Sequence, residues 1–315
     1  SILSFLQFPN LRKREPSLIP QSNYNSNVMH LLRKKPKIVA TILCKDESDI
    51  LDHMIKHHIN IGVEAFIVTN NRSSDKTRDI AASYKEVVKI FDEMDETHNQ
   101  EAHVTKMARY ACKLRPEWIV HLDADEFWNG FEFLDEVEEN GVASTIAYIH
   151  PPVTPEVGFN PHEQRFYLDM KEIQASMEES KVIHRPNEKI EIHHGNHWMD
   201  NVEGPILRTD RIYRHHYPLR CFQQMVVKAY VGHKAMVSRG AYCGRWGMWH
   251  DLHEEGKLER EFNRILGNWN TMVDSGLDKT LMAEMVQFYA GGPDGLERVL
   301  AGLDKITPEI KEWTP

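Results

Sequence analysis

The chain has 315 residues, 41% hydrophobic and 27% charged, with 38 Lys and Arg against 47 Asp and Glu for a formal net charge of -9. A soluble chain of this size can bury a real core, as one large domain with an appendage or as two domains. The acidic balance argues against nucleic acid or an anionic membrane as a partner, so an anionic ligand would have to be met by local positive charge.

Residues 1–35 read as a polar, broken arm with one short helix around Val28 to Arg33. From Lys37 the pattern becomes regular. KIVATIL predicts a buried strand, and ESDILDHMIKHHINIG a helix with Ile50, Leu51, Met54, Ile55 and Ile59 at helical spacing, ended by Gly62. AFIVTN is a second strand, NNRSSDKT a loop with Ser and Asp caps, TRDIAASY a short helix and VVKIFD a third strand. HNQEAHVTKMARYACKLR puts Val104, Met107, Ala108, Ala111 and Leu114 on one helical face, before a fourth strand, WIVHL.

This alternation predicts an α/β fold, a Rossmann-like, mostly parallel sheet flanked by helices, with the ligand-binding half at 36–130. Ligands of such sheets lie beyond the carboxyl ends of the strands. Here those ends are CKDE (44 to 47), NNRSSD (70 to 75), DEMDET (92 to 97) and DADE (123 to 126). Residues 131–250 are less regular: STIAYIHPPV, QRFYLDM and KVIHRP read as strands, and RCFQQMVVKAYVG as a helix ended by Gly232. LEREFNRILGNWNTMV, LMAEMVQFY and GLERVLAGL read as helices of a C-terminal helical extension, 251–315.

The four cysteines, Cys44, Cys112, Cys221 and Cys243, have no CxxC spacing and are too few for a disulfide framework or a thiolate zinc site, which fits a cytoplasmic setting. No run reaches the roughly 18 apolar residues of a membrane span. The opening SILSFLQF is too short and wrongly flanked for a signal peptide. Because the chain begins at Ser1 and not Met, a piece of a larger polypeptide is expected, cytoplasmic or at the cytoplasmic face of a membrane.

No glycine precedes Gly62, so neither the dinucleotide fingerprint nor the phosphate loop is present at the first βα turn. A nicotinamide dehydrogenase or P-loop enzyme is thereby disfavoured. Phosphates can instead be neutralised by a divalent cation held by carboxylates. Asp123 and Asp125 suit this, because alternate residues of an extended chain point the same way and can converge on one ion, or on an ion and a ribose.

LDADEF after a Trp-initiated strand, with ILCKDES and IVTNNRSSDKT upstream and KVIHRPNEKIEIHHGNH and YRHHYPLRCFQQMVVKAYVG downstream, resembles the family 2 glycosyltransferases of the GT-A fold. It is most similar to the branch with an Asp-x-Asp-Glu-Phe metal motif and a later His-Tyr. The resemblance spans about Lys37 to Gly232; neither the N-terminal arm nor the C-terminal helices are covered. It implies an inverting, Mn²⁺- or Mg²⁺-dependent glycosyltransferase that takes a nucleotide-sugar donor and a glycan or other hydroxyl acceptor, with no nucleic acid.

Carried over by position, the resemblance implies that the CKDE loop, with Lys45 and Glu47, surrounds the base and ribose together with Asn70, Asn71 and Asp75. Many relatives have Asp-Asp-Gly-Ser where this chain has NNRS; an Asn oxygen still accepts a uracil N–H, without the carboxylate's charge. Gln100 and Lys106 are donor-contacting positions, and Lys181, Arg185 and Lys228 candidates for the diphosphate. Asp125 would ligate the metal, Asp123 the metal or the ribose, and Glu126 would orient them or pair with a base. Among His193, His194, His197, His215 and His216, either His194 or His216 would complete the metal shell. A carboxylate must take the acceptor's proton; Asp200 is preferred to Glu163. A metal-dependent hydrolase or phosphotransferase and a non-catalytic glycosyltransferase-like module are the alternatives.

Overall fold

The run IVATILC forms β1 (Ile38–Cys44), buried at every position but Leu43, as β-branched and apolar residues must be when helices cover both faces of a sheet. In the computed structural model, residues 35–94, 99–150, 166–169, 180–238, 240, 244–276, 278, 280–281, 284–285 and 309–312 are described. After β1 come α1 (Leu51–Asn60), β2 (Val63–Asn71), α2 (Thr77–Ser83), β3 (Val87–Glu93), α3 (Gln100–Ala111) and β4 (Trp118–Asp123). The four strands are parallel, in the order β3-β2-β1-β4. Alternate residues face opposite layers: Ala40, Ile42, Phe66 and Val68 pack with Leu51, Met54 and Ile55 of α1, whereas Val39, Ala65 and Ile67 pack with Val104, Met107 and Ala108 of α3. Gly62, with φ +102°, follows α1, as expected.

Beyond β4 the sheet becomes mixed. The strands are β5 (Glu126–Asn129), β6 (Gly141–Ile149), β7 (Phe166–Asp169), β8 (Lys181–His184), the short pair β9 (Glu191–Ile192) and β10 (Met199–Asp200), and β11 (Ile206–His216). β8 runs antiparallel to both β4 and β6, and β11 lies parallel to β6 and antiparallel to β5. The sheet therefore continues without interruption past residue 130. The three strands expected in this stretch correspond to β6, β7 and β8. β5 and β11 were not foreseen: the first hides behind three acids, and the second, ILRTDRIYRHH, carries exposed Arg208, Asp210 and Arg211.

α4 (Phe222–Ser238), α5 (Gly244–Glu254) and α6 (Leu258–Ser275) follow, and β12 (Glu309–Glu312) pairs with β7 at the sheet edge. α4 does not stop at Gly232 but continues to Ser238, and α5 was hidden by two glycines in GRWGMWHDLHE. α6 buries Leu258, Phe262, Ile265, Trp269 and Met272, a strict four-three spacing, in a second core with Leu219, Met225, Ala229 and Trp249. Among the described residues no helix is long and apolar enough to cross a membrane. The predicted helix at Val28 to Arg33, the whole of GLERVLAGL and all of LMAEMVQFY but Leu281, Glu284 and Met285 lie outside the described residues.

Gly130 closes β5 with φ +83°, and an added Cβ would stand 2.1 Å from the Arg211 carbonyl oxygen of β11. Gly130→Ala is therefore expected to lower the urea midpoint, through a loss of at least about 1–3 kcal/mol of stability from the backbone strain alone.

The core also holds histidines that can only be neutral. His58 gives an Nδ1–H to the Met54 carbonyl at 2.8 Å and takes the Trp128 N–H on Nε2 at 3.2 Å, and burial pushes its pKa down to about 3. Burial likewise lowers His184 to about 4 and His215 to about 3. These folded values lie below the unfolded 6.5, so as pH falls through 6.5 the unfolded chain gains protons that the fold refuses. Stability should be insensitive to these groups above that pH and decline below it, on the order of 2 kcal/mol per histidine by pH 5. Urea unfolding at pH 7.5, 6 and 5 measures this.

Candidate active site

The carboxyl ends of β1, β2 and β4 open onto a cleft of about 450 Å³, which β8, the 193–198 loop, α4 and α5 complete. Lys45, Glu47, Asn71, Gln100, Asp123, Asp125, Glu126, Lys181, His194, His197, Arg214, His216 and Lys228 all line it. Thus residues separated by more than 180 positions meet at the edge where open α/β sheets place their ligands.

The chain does not stay extended through the acids. β4 ends at Asp123, residues 124–125 form a turn, and β5 begins at Glu126. The two aspartates consequently take different partners. Asp123 accepts from Lys181 Nζ and, at 3.0 Å, from Asn196 Nδ2; burial pushes its carboxyl above the ordinary range against the pull of Lys181. Asp125 accepts from Lys228 Nζ at 2.9 Å, and its other oxygen faces His216 Nε2 at 3.5 Å. Burial opposes the Asp125 charge, but Lys228 and then His216 outweigh it and hold the carboxyl well below the carboxylate range.

Glu126 turns inward and is 1% exposed. It accepts from Arg214 Nε at 3.0 Å and from Trp128 Nε1 at 3.2 Å, with Lys181 Nζ at 3.5 Å. Burial opposes its charge too, yet Lys181 and Arg214 keep its pKa low. The β5–β11 register explains the arrangement: His216 stands opposite Glu126 and Arg214 opposite Trp128, so both side chains share the face of Glu126, while His215 points away and meets His150 at 2.8 Å. Arg214 and Asn196 were missed in the sequence; alternation within YRHHY would have exposed the first had β11 been read as a strand.

The first loop is tied down by a second charge group. Glu47 pairs with Arg220, which also reaches Asp49 at 2.6 Å. Burial raises the Glu47 pKa against the pull of Arg220. Lys45 Nζ lies 3.5 Å from the Arg72 carbonyl.

Other expected residues have structural engagements. Asn70 gives Nδ2 to Asp92 at 3.0 Å and takes the Ser73 N–H on Oδ1 at 3.2 Å. Asp75 accepts the Ser48 and Thr77 N–H groups at 3.0 and 2.9 Å and joins the first two loops; the cap position of α2 is Lys76, whose side chain makes no capping hydrogen bond, so the expected Asp cap is not formed there. Gln100 Oε1 holds the Gly195 N–H at 3.1 Å, and Glu101 the His194 N–H at 3.0 Å, so the start of α3 fixes the 193–198 loop.

Asn70, Asp75 and His215 stand outside the cleft lining, as do Lys106, Arg185, His193 and Asp200. Lys106 pairs with Glu93 and lies 4.5 Å from the Phe91 ring centre. Arg185 gives hydrogen bonds to the Val137 and Glu139 carbonyls and stacks 4.2 Å from the Trp118 ring. Asp200, expected to take the acceptor's proton, follows buried Met199 on β10, and alternation therefore turns it to solvent, where it accepts from Trp198 Nε1 at 3.1 Å and meets His193 Nε2 at 2.8 Å. His193 is spent on that contact. Glu163 lies outside the described residues.

No family model matches the chain, and no curated protein matches it either. Sixty-four chains of solved structures do. One is the glucosyl-3-phosphoglycerate synthase of Mycobacterium tuberculosis in complex with Mn²⁺, uridine diphosphate and glucosyl-3-phosphoglycerate, at 11% identity over 42% of this chain and 50% of its own, with a TM-score of 0.27. A 4-diphosphocytidyl-2C-methyl-D-erythritol synthase is similar at 14% identity over 40% of this chain and 66% of its own, TM-score 0.27. HddC from Yersinia pseudotuberculosis is similar at 12% over 36% and 58%, TM-score 0.26. The chain spans about half the length of the first and less than two thirds of the others. Likeness of this order fixes neither substrate nor chemistry.

Proposed function

We propose that the chain is a glycosyltransferase of the GT-A type, taking a UDP-linked sugar as donor and a hydroxyl group as acceptor, with inversion at the transferred carbon. The observation that carries this reading is the acid–lysine pole at the carboxyl edge of the parallel strands. Asp123 with Lys181 and Asp125 with Lys228 line one cleft where no glycine loop exists to cradle phosphate.

A Mn²⁺ or Mg²⁺ ion fits the donor set. The Asp125 carboxylate and His216 Nε2 face one another at 3.5 Å, and a carboxylate oxygen with an imidazole nitrogen suits Mn²⁺ in particular. Among the described residues no group of three or more such side chains converges. Diphosphate oxygens and water would supply the remaining ligands, as is usual for Mg²⁺ at phosphate sites. When bound, the cation would neutralise charge developing on the departing diphosphate.

The chain's own residues do the rest. Lys228 and Lys181 bring two ammonium groups beside the place where the diphosphate would lie, a preorganised field that needs no rearrangement as charge builds up. Asn71 and the 44–47 loop offer hydrogen-bonding groups for base and ribose. Glu126, buried beneath and itself held by Arg214, keeps Lys181 in position.

Thermal shift against a panel of nucleotide-sugars tests the reading. UDP-sugars should raise the midpoint in Mg²⁺ or Mn²⁺ and not in EDTA, by about 2.7 kcal/mol of stability at a hundredfold excess over Kd. No response to any nucleotide-sugar would sink the reading. Steady phosphate release from simple esters without a sugar nucleotide would favour a metal-dependent hydrolase or phosphotransferase instead.

A further inference from the structure

The donor and its cation leave one wall of the cleft without a role. It is formed by α4 and α5: Val227 and Val231, one turn apart and 36% and 37% exposed, line the cleft with Trp246 and Arg245. Apolar side chains left open to solvent inside a cleft provide a surface that a ligand's own apolar face can cover.

The wall is a built feature. At Gly232 an added Cβ would stand 2.3, 2.5 and 2.8 Å from three atoms of the Trp246 indole, Cδ2, Cγ and Cε2. The indole therefore rests on bare helix backbone. Gly232 is absent from the glycines with positive φ, so this mid-helix glycine serves for space and not for backbone freedom. Three residues after Trp246, Trp249 is 1% exposed and anchors α5 in the second core against α6, with the Arg245 guanidinium 5.6 Å from its ring. A separate hydrophobic core thus holds one partly buried indole at the cleft.

We propose that this wall is the acceptor subsite, and that its ligand is a saccharide ring stacked by its apolar C–H face on Trp246. The inference rests on the glycosyltransferase reading above. One indole plane and two valines match the apolar face of a single ring. The polar side chains that share the cleft, Arg245, His194 and His197, can meet ring hydroxyls. An acyl or isoprenoid chain would need a longer apolar channel than a 450 Å³ cleft whose other wall is charged.

Saturation-transfer NMR of the full chain with the methyl α-pyranosides of glucose, galactose and mannose, with and without Mg²⁺ and UDP, tests this. At least one glycoside should draw saturation, strongest on the protons of one ring face. Trp246→Ala should reduce that signal by about fivefold or more and Trp246→Phe should retain most of it, the scale of a lost aromatic contact. The thermal shift with Mg²⁺ and UDP should be the same in both variants and the wild type. An unchanged signal in Trp246→Ala overturns the subsite, and silence from every glycoside, or a response to octanol in their place, overturns the saccharide class. Loss of the UDP shift in both variants assigns the wall to the donor and overturns the proposal. A wild type that binds a glycoside through Trp246 but shows no UDP shift sinks the donor reading and leaves the subsite standing.

Discussion

Asp125→Asn is expected to abolish the Mg²⁺-dependent thermal shift with UDP-sugars and to lower transfer by roughly 10²–10³-fold, the scale of removing one preorganised electrostatic partner. The change is nearly isosteric, so whatever is lost is charge. Asp125 is the acid whose carboxyl is held well below the ordinary range, by Lys228 and His216 against burial, so it is ionised at neutral pH, where a diphosphate is charged. Its depressed folded pKa means that its stabilising contribution is present above the unfolded carboxylate value of 3.8 and is lost only as pH falls through the folded one. Asp123→Asn should do less to the cation, because Asp123 spends both oxygens on Lys181 and Asn196. Equal stabilisation of Asp125→Asn and the wild type by Mg²⁺ and UDP would remove the cation from this site.

The parallel half of the fold was legible because its signals are local: KIVATIL and AFIVTN are short apolar runs, and α1 and α3 repeat apolar residues every three or four positions. What was not legible depended on contacts across the chain. β11 carries charges at most exposed positions and exists because β5 and β6 offer it two ladders. The turn at residues 124–125 interrupts strand alternation, so the two aspartates take different partners within one cleft. Asp200 is the carboxylate the sequence favours for taking the acceptor's proton, yet the β9–β10 pairing turns it outward once Met199 is buried. Lys228 and His216 were visible through motif resemblance, and the structure brings both to Asp125, whereas Trp246 had no sequence signal: its place depends on an absent side chain at Gly232, 14 residues away.

Glu126→Gln should separate stability from binding. Glu126 is buried between Arg214 and Lys181, whose side chains are 3% and 4% exposed, and both cations were desolvated on the strength of nearby carboxylates. Removing one buried partner of such a group costs about 3–5 kcal/mol, which for a domain of this size lowers Tm by roughly 10 °C. A glutamine cannot substitute. Arg214 Nε donates to one Glu126 oxygen and Trp128 Nε1 to the other, so either orientation of the amide sets its NH₂ against a donor. Glu126 has a lowered pKa, so its contribution is complete above the unfolded value of about 4.5 and is lost as pH falls through the folded pKa. The gap between wild type and Glu126→Gln should therefore be constant near neutrality and narrow in acid. Adding Arg214→Met to Glu126→Gln removes the stranded guanidinium and should recover about 0.5–3 kcal/mol as a coupling energy. Additive losses in that cycle would mean that Glu126 holds the site through Lys181 and Trp128 alone.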